Sequence, residues 1–345
     1  MVKVDSIITT LRRGLLVGAG LVLALGLAAS PRPPYDVGRV STPRLFAEGT
    51  ISTEDDEVGG SFSPDGTEFY FSKLIQSTTF PRIGLLCVST YREGVWGEPV
   101  VLPFSGRYLD FLPHLSPDGR SLYFSSSRPL PGSSARLLRI YRVERAGDHW
   151  GEPVALPPPV NEEDSWNWGA SVTSSGTLYF ASSRGGESHI FRSRLVDGAY
   201  AEPEKLGPEV NSTFNEHDPF VSPDERLLVF ASSGSGLGDE DRPETLKGNG
   251  VLYARGDLYV SSGSDGRWSQ ARHLEHDINS VADEGAPSLT PDGRYLFFTS
   301  ERSPFGVLRR RGAEEIEKIL HSTLNGHGNI FFVSRDSLDL PEDKE

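Results

Sequence analysis

Glu57, Asp110, Asn167, Glu216 and Glu284 each stand at one equivalent position ahead of a turn that recurs five times along the chain. Four of the five are acidic. Carboxylates held about 5 to 9.5 Å apart can hydrolyse glycosides, and a set of carboxylate oxygens suits calcium or magnesium. Beyond each turn comes a basic residue, Lys73, Arg128, Arg184 or Arg302, with Gly234 at that place in the fourth copy. Acid and base can therefore pair within a copy, or the acid can cap loop amides, since a buried charge is tolerated only with partners. Both readings stay open. The fourth copy, Glu216-His217-Asp218, stands apart because it lacks the arginine.

Phe111, Trp166, Trp168 and His217 flank the acids in copies two to four, where the first and fifth have Val58 and Gly285. Aromatic rings beside polar groups at a cavity suit a sugar or a peptide side chain; packing between repeats is the other reading. Other chemistry finds no support. HExxH, GxSxG and Walker patterns are absent, and the eight histidines share no metal-ligand spacing. His321 and His327 flank a glycine-containing loop and read as solvent-exposed. Cys87 is the sole cysteine, which excludes an intramolecular disulfide and a cysteine-based zinc site. Ser262 to Trp268 has the look of a sialidase-type box but matches hairpin turns at Gly147 to Trp150 and Asp197 to Tyr200.

The elements that position these residues follow from the repeat. SFSPDGTEFYFSK at Ser61, HLSPDGRSLYFSSSR at His114, SVTSSGTLYFASSR at Ser171, FVSPDERLLVFASS at Phe220 and SLTPDGRYLFFTSER at Ser288 share one pattern. Each reads as a short strand, a turn and an aromatic-rich return strand. Proline presets φ in such a turn, aspartate bonds nearby backbone, and glycine accepts φ > 0. A third strand is centred on Leu85-Leu86, Ile140-Tyr141, Ile190-Phe191, Leu258-Tyr259 and Ile330-Phe331. A fourth runs from Trp96, Trp150, Tyr200 and Trp268 to Leu102, Leu156, Leu206 and Leu274. The fifth copy lacks it downstream, but Pro43-Arg44-Leu45-Phe46 has its spacing upstream. The expectation is an all-β, five-bladed β-propeller of four-stranded antiparallel blades whose N-terminal strand closes the last blade.

The SPDG turn followed by LYFSS resembles the WD40-like, TolB-type propeller repeat family of bacterial envelope proteins, over nearly all of residues 42–335. That resemblance implies the fold. For function it implies a range that includes protein-binding scaffolds and peptidase-associated propellers.

In a propeller the five equivalent acids form a ring at one mouth of the channel. The loops joining second to third strands emerge on the same face. One, residues 234–256, is rich in glycine and charge; another, 303–328, contains Ala313 to Leu320 with Ile316, Ile319 and Leu320 on one helical face. The net charge of -14 argues against nucleic acid. Lys3, Arg12 and Arg13 precede the apolar run Gly14 to Ala29, a signal-peptide or uncleaved-anchor layout over residues 1–30. The Arg12-Arg13 pair is either a twin-arginine export signal or an ordinary basic n-region. Residues 31–41 read as a proline-rich linker, 42–338 as the propeller and 339–345 as an acidic tail. The expected role is a non-catalytic, exported binding or scaffold module of the periplasm or exterior, without cofactor. It would hold a protein or peptide on the long-loop face. The alternative is a carbohydrate-active enzyme or lectin using the acidic ring, with calcium or magnesium as its candidate ion.

Overall fold

A computed structural model describes residues 33–75, 83–130, 137–234, 256–264, 266–275, 277–304 and 311–338. The expected signal segment (1–30), the bulk of the insertion (235–255) and the acidic tail lie outside the described residues.

Five antiparallel sheets form five blades. Their innermost strands are Asp56–Phe62, Asp110–Leu115, Asn167–Val172, Glu216–Val221 and Glu284–Leu289. Each packs against the next, and the fifth returns to the first, which closes the ring. The turn after each innermost strand is built as its residues dictate. In blade one, Asp65 Oδ1 accepts from Ser63 Oγ at 2.6 Å and from the Thr67 amide at 3.0 Å. Gly66 there takes φ +73°. The same Ser/Thr-to-Asp clasp recurs at Ser116, Ser222 and Thr290. Blade four has Glu225 where glycine is expected, at φ +61°, with its carboxylate accepting from Tyr179 Oη at 2.5 Å.

The outermost strands differ from one continuous run. Val95–Trp96 and Val100–Val101 are separate pieces, as are His149–Trp150 and Val154–Ala155. The break falls at Pro99 and Pro153, where proline has no amide to give the ladder.

Closure comes from Arg44–Leu45, which pairs with the last strand in the register Arg44 to Phe332 and Leu45 to Phe331. Phe46 follows with its amide on Ile330 O at 2.9 Å. Its ring meets Phe62, Phe69, Trp96, Phe297 and Phe332 edge-on, at centroid distances of 4.9 to 6.0 Å. The stretch expected as a linker also packs, from Pro33 onward. Tyr35 and Val40 are buried, and Val40 exchanges hydrogen bonds with Ser334. The Tyr35 ring sits over Gly66 so closely that a Cβ there would approach it to 2.6 Å. The prolines suggested a spacer, but the apolar residues between them decide the packing.

Phe46→Ala is expected to lower the unfolding free energy by about 3 to 4 kcal/mol, the usual cost of emptying a buried phenylalanine site. Denaturant titration reads this, and an unchanged midpoint would mean that the strand is dispensable for closure.

Candidate functional site

Glu57, Asp110, Asn167, Glu216 and Glu284 stand at the first or, for Glu57, the second residue of their innermost strands, and each is 0% exposed. Their polar atoms are occupied by their own surroundings. Glu57 accepts from the Thr53 amide and hydroxyl at 3.0 and 2.5 Å and pairs with Lys73 at 3.2 Å. Asp110 takes Ser105 Oγ, Ser126 Oγ and Arg128, at 2.9, 2.6 and 2.8 Å. Asn167 accepts from Ser182 Oγ at 2.8 Å and Arg184 at 3.2 Å. Glu284 takes the Ser280 amide and hydroxyl, Ser300 Oγ and Arg302. Burial pushes the carboxyls of Glu57, Asp110 and Glu284 above the usual range despite these donors.

The three arginines do more than neutralise. Arg128 donates to Phe104 O, Arg184 to Val160 O and Arg302 to Ile278 O, so each ties the entering loop to its blade. Their guanidinium planes also lie over aromatic faces, Arg184 over Phe191 at 5.1 Å and Arg302 over Phe331 at 4.9 Å. Lysine cannot span both roles.

Blade four explains its own exception. Glu216 receives Ser212 Oγ, Ser232 Oγ and, in place of arginine, His189 Nδ1 from blade three at 3.0 Å. Gly234 sits beneath the Phe214 ring, where a Cβ would approach within 2.4 Å. An arginine there would collide with that ring.

Two further sets of loop and inner-strand residues were not anticipated from the sequence. Asn161, Asn211 and Asn279 are buried ahead of the ring position. Each bonds both amide and carbonyl of a third-strand residue, Ile140, Ile190 and Leu258 respectively. Ser105 and Ser52 take the same place for Leu86 of blade one and Ile330 of blade five. The recurrent Val160-Asn161, Val210-Asn211 and Ile278-Asn279 pairs carried that signal. The second set lies two residues after the ring position, where Gly59, Leu112, Gly169, Asp218 and Ala286 all take φ between +46° and +68°. The bulge turns amides toward the neighbouring blade. Leu112, Gly169 and Gly59 donate to Ser72, Ser125 and Thr299. Blade four has Ala231 at that place, and the Ala286 amide reaches Asp218 Oδ2 instead, at 3.3 Å.

Asp218 also meets His217 Nδ1 at 3.3 Å. Nearby Asp283 accepts from the Gly256 amide at 2.5 Å. Its carboxyl is pushed up to about 6 by burial and by the charges of Glu284 and Asp218, against the pull of Gly256 and His217. Trp168, Phe111 and His217 are half-buried beside the ring, and Trp166 is exposed. Among the described residues, no three His, Cys, Asp or Glu side chains are grouped as metal ligands would be.

The connections into the innermost strands share one face with the loops joining second to third strands. The helix expected in that region forms at Ala313–Leu320 and buries none of its residues. The segment after it is tied to blade one, with His321 Nδ1 against Glu54 at 3.2 Å and Asn325 Nδ2 donating to Glu54 O at 2.8 Å. His321 is solvent-exposed as expected, whereas His327 is half-buried and faces Glu54 O.

Repeat and ring together are those of a five-bladed β-propeller whose blades resemble the TolB-type repeat. No family model and no curated protein matches the chain. Among solved structures, a protein assigned as TolB from Agrobacterium tumefaciens is 15% identical with a TM-score of 0.44, over 81% of this chain and 90% of that one. An α-L-arabinofuranosidase from Lactobacillus brevis is 11% identical with a TM-score of 0.48, over 83% and 91%. A puromycin-hydrolyzing peptidase from Mycobacterium tuberculosis is 14% identical with a TM-score of 0.37, over 79% of this chain and 41% of that one. Similarity at this level assigns no activity.

Arg128→Ala is expected to cost about 3 kcal/mol, because it strands the buried Asp110 charge. Arg184→Ala, opposite neutral Asn167, should cost about 1 to 2 kcal/mol. Equal losses in denaturant titration would show that charge pairing does not govern the ring.

Asp283 supplies a pH test. With its folded value above its unfolded one, the folded state holds a proton that the unfolded chain releases between about pH 4 and 6. Its contribution therefore favours folding at the acid end and is lost as pH rises through about 6. Asp283→Asn keeps the acceptor for Gly256. The variant should exceed wild type in urea at about pH 7 and lose that advantage by about pH 4. A difference independent of pH would contradict this.

Proposed function

We propose that the chain is a non-catalytic binding or scaffold propeller, exported to the envelope or beyond, which recognises a protein or peptide on the face bearing its long connections. The carrying observation is a contrast on that face. The five ring residues are fully enclosed and internally bonded, while Trp166, Phe214, Val281, Ile316 and Leu320 stand exposed beside them. Carboxylates for hydrolysis must reach a substrate, whereas exposed apolar side chains grouped on one face mark association surfaces. Export rests on the basic and apolar layout of residues 1–30. No helix among the described residues is long and apolar enough to cross a membrane.

Capture of envelope proteins on immobilised protein, followed by cross-linking, tests this. Ring variants Glu57→Gln and Glu284→Gln should alter stability and leave capture intact, and Trp166→Ala with Phe214→Ala should abolish it. Turnover on a glycan panel that vanishes in the ring variants while they remain folded would overturn the proposal in favour of a carbohydrate-active protein.

A further inference from the structure

Trp166, Phe214 and Val281 occupy corresponding connections, those leading into the innermost strands of blades three, four and five. They are 36%, 50% and 67% exposed. The helix adds Ile316 and Leu320, at 45% and 58%. Apolar side chains in equivalent loops of successive blades form an arc on one face. Scattered surface residues would not.

Among the described residues, the exposed charge around that arc is predominantly acidic. Glu163, Asp164, Glu187, Asp277, Glu314 and Glu317 are exposed on the same face. Among the described residues, its exposed cations are Arg107, Lys318 and His321. Lys318 is held by Glu314 at 2.9 Å and His321 by Glu54 at 3.2 Å. Arg128, Arg184 and Arg302 are committed inward to loop carbonyls and aromatic faces. Further in, His217 meets Asp218 at 3.3 Å; burial works against its charged form, yet Asp218, Asp283 and Glu216 outweigh burial and raise its pKa.

We infer that this face binds a cationic amphipathic segment of a partner protein, which sets apolar side chains against Trp166 and Phe214 and lysine or arginine against the surrounding carboxylates. The inference rests on the reading that this is the binding face. The acidic rim would speed encounter and reject acidic partners. The desolvated aromatic contacts would carry the affinity, with the exposed Trp166 ring available to a cation as well.

Two labelled synthetic peptides test it by fluorescence anisotropy with the full chain. They share one helical leucine pattern and carry lysine or glutamate at every polar position. The lysine peptide should bind, more weakly as salt is added. The double variant Trp166→Ala with Phe214→Ala should weaken it by about tenfold or more, as should Glu163→Gln, Asp164→Asn and Asp277→Asn together. Neutralising Glu93 and Asp148, exposed in turns between third and fourth strands at the opposite end of the blades, should change nothing, and all variants should melt as wild type does. A lysine peptide that fails to bind, or responds equally to these opposite-end changes, would overturn the inference. A glutamate peptide that binds through Trp166 and Phe214 would overturn the cationic assignment and leave the binding face standing. Binding of either peptide that ignores both aromatic residues would remove the face as well.

Discussion

A carboxylate without solvent must find donors for its oxygens, and the organisation of each blade's entry follows from that demand. The innermost strands converge where no water is available to the ring position, so hydroxyls from the entering loop and a cation from the second strand are drawn to it. Those same donors fix the loop. Thr53 and Ser280 offer both amide and hydroxyl to one carboxylate, which leaves the connection little conformational freedom. The arginine then grips the loop carbonyls from the other side. An expensive buried charge thus becomes the device that sets the height and angle at which four of the five inner strands start, with neutral Asn167 bonded in the same place in blade three.

Much of this was legible because the repeat displays it five times. The SPDG turns located the strands, and the missing fourth strand of the last copy pointed to Arg44–Leu45, which pairs there. Acid and base at matching positions suggested the pairs that form at Lys73, Arg128 and Arg302. Other features left weaker traces. His189 serves Glu216 from the neighbouring blade, and contact between blades has no fixed sequence separation. The bulge position is occupied by Gly59, Leu112, Gly169, Asp218 and Ala286, whose only common property is a backbone angle. Side-chain chemistry cannot reveal a constraint that acts on φ. Asn161, Asn211 and Asn279 were legible in principle but overshadowed by the acids that follow them.

The departures in blades three and four form a connected set. Where the other blades have Ser72, Ser125 and Thr299 to receive a neighbouring amide, these blades have Ala181 and Ala231. Asp218 supplies the missing acceptor at the junction with blade five, and its charge draws His217 toward the protonated form. Gly234 in place of arginine lets Phe214 lie across the loop base while half of its surface faces solvent. The arginine that partners the ring residue in other blades is replaced here by His189, which reaches Glu216 from the third strand of blade three. An aromatic surface takes its place outside. The blade that departs furthest from the repeat thus exposes a large apolar ring at its entry, as blade three does with Trp166. Losing an arginine clasp and gaining an exposed ring are two consequences of the same glycine.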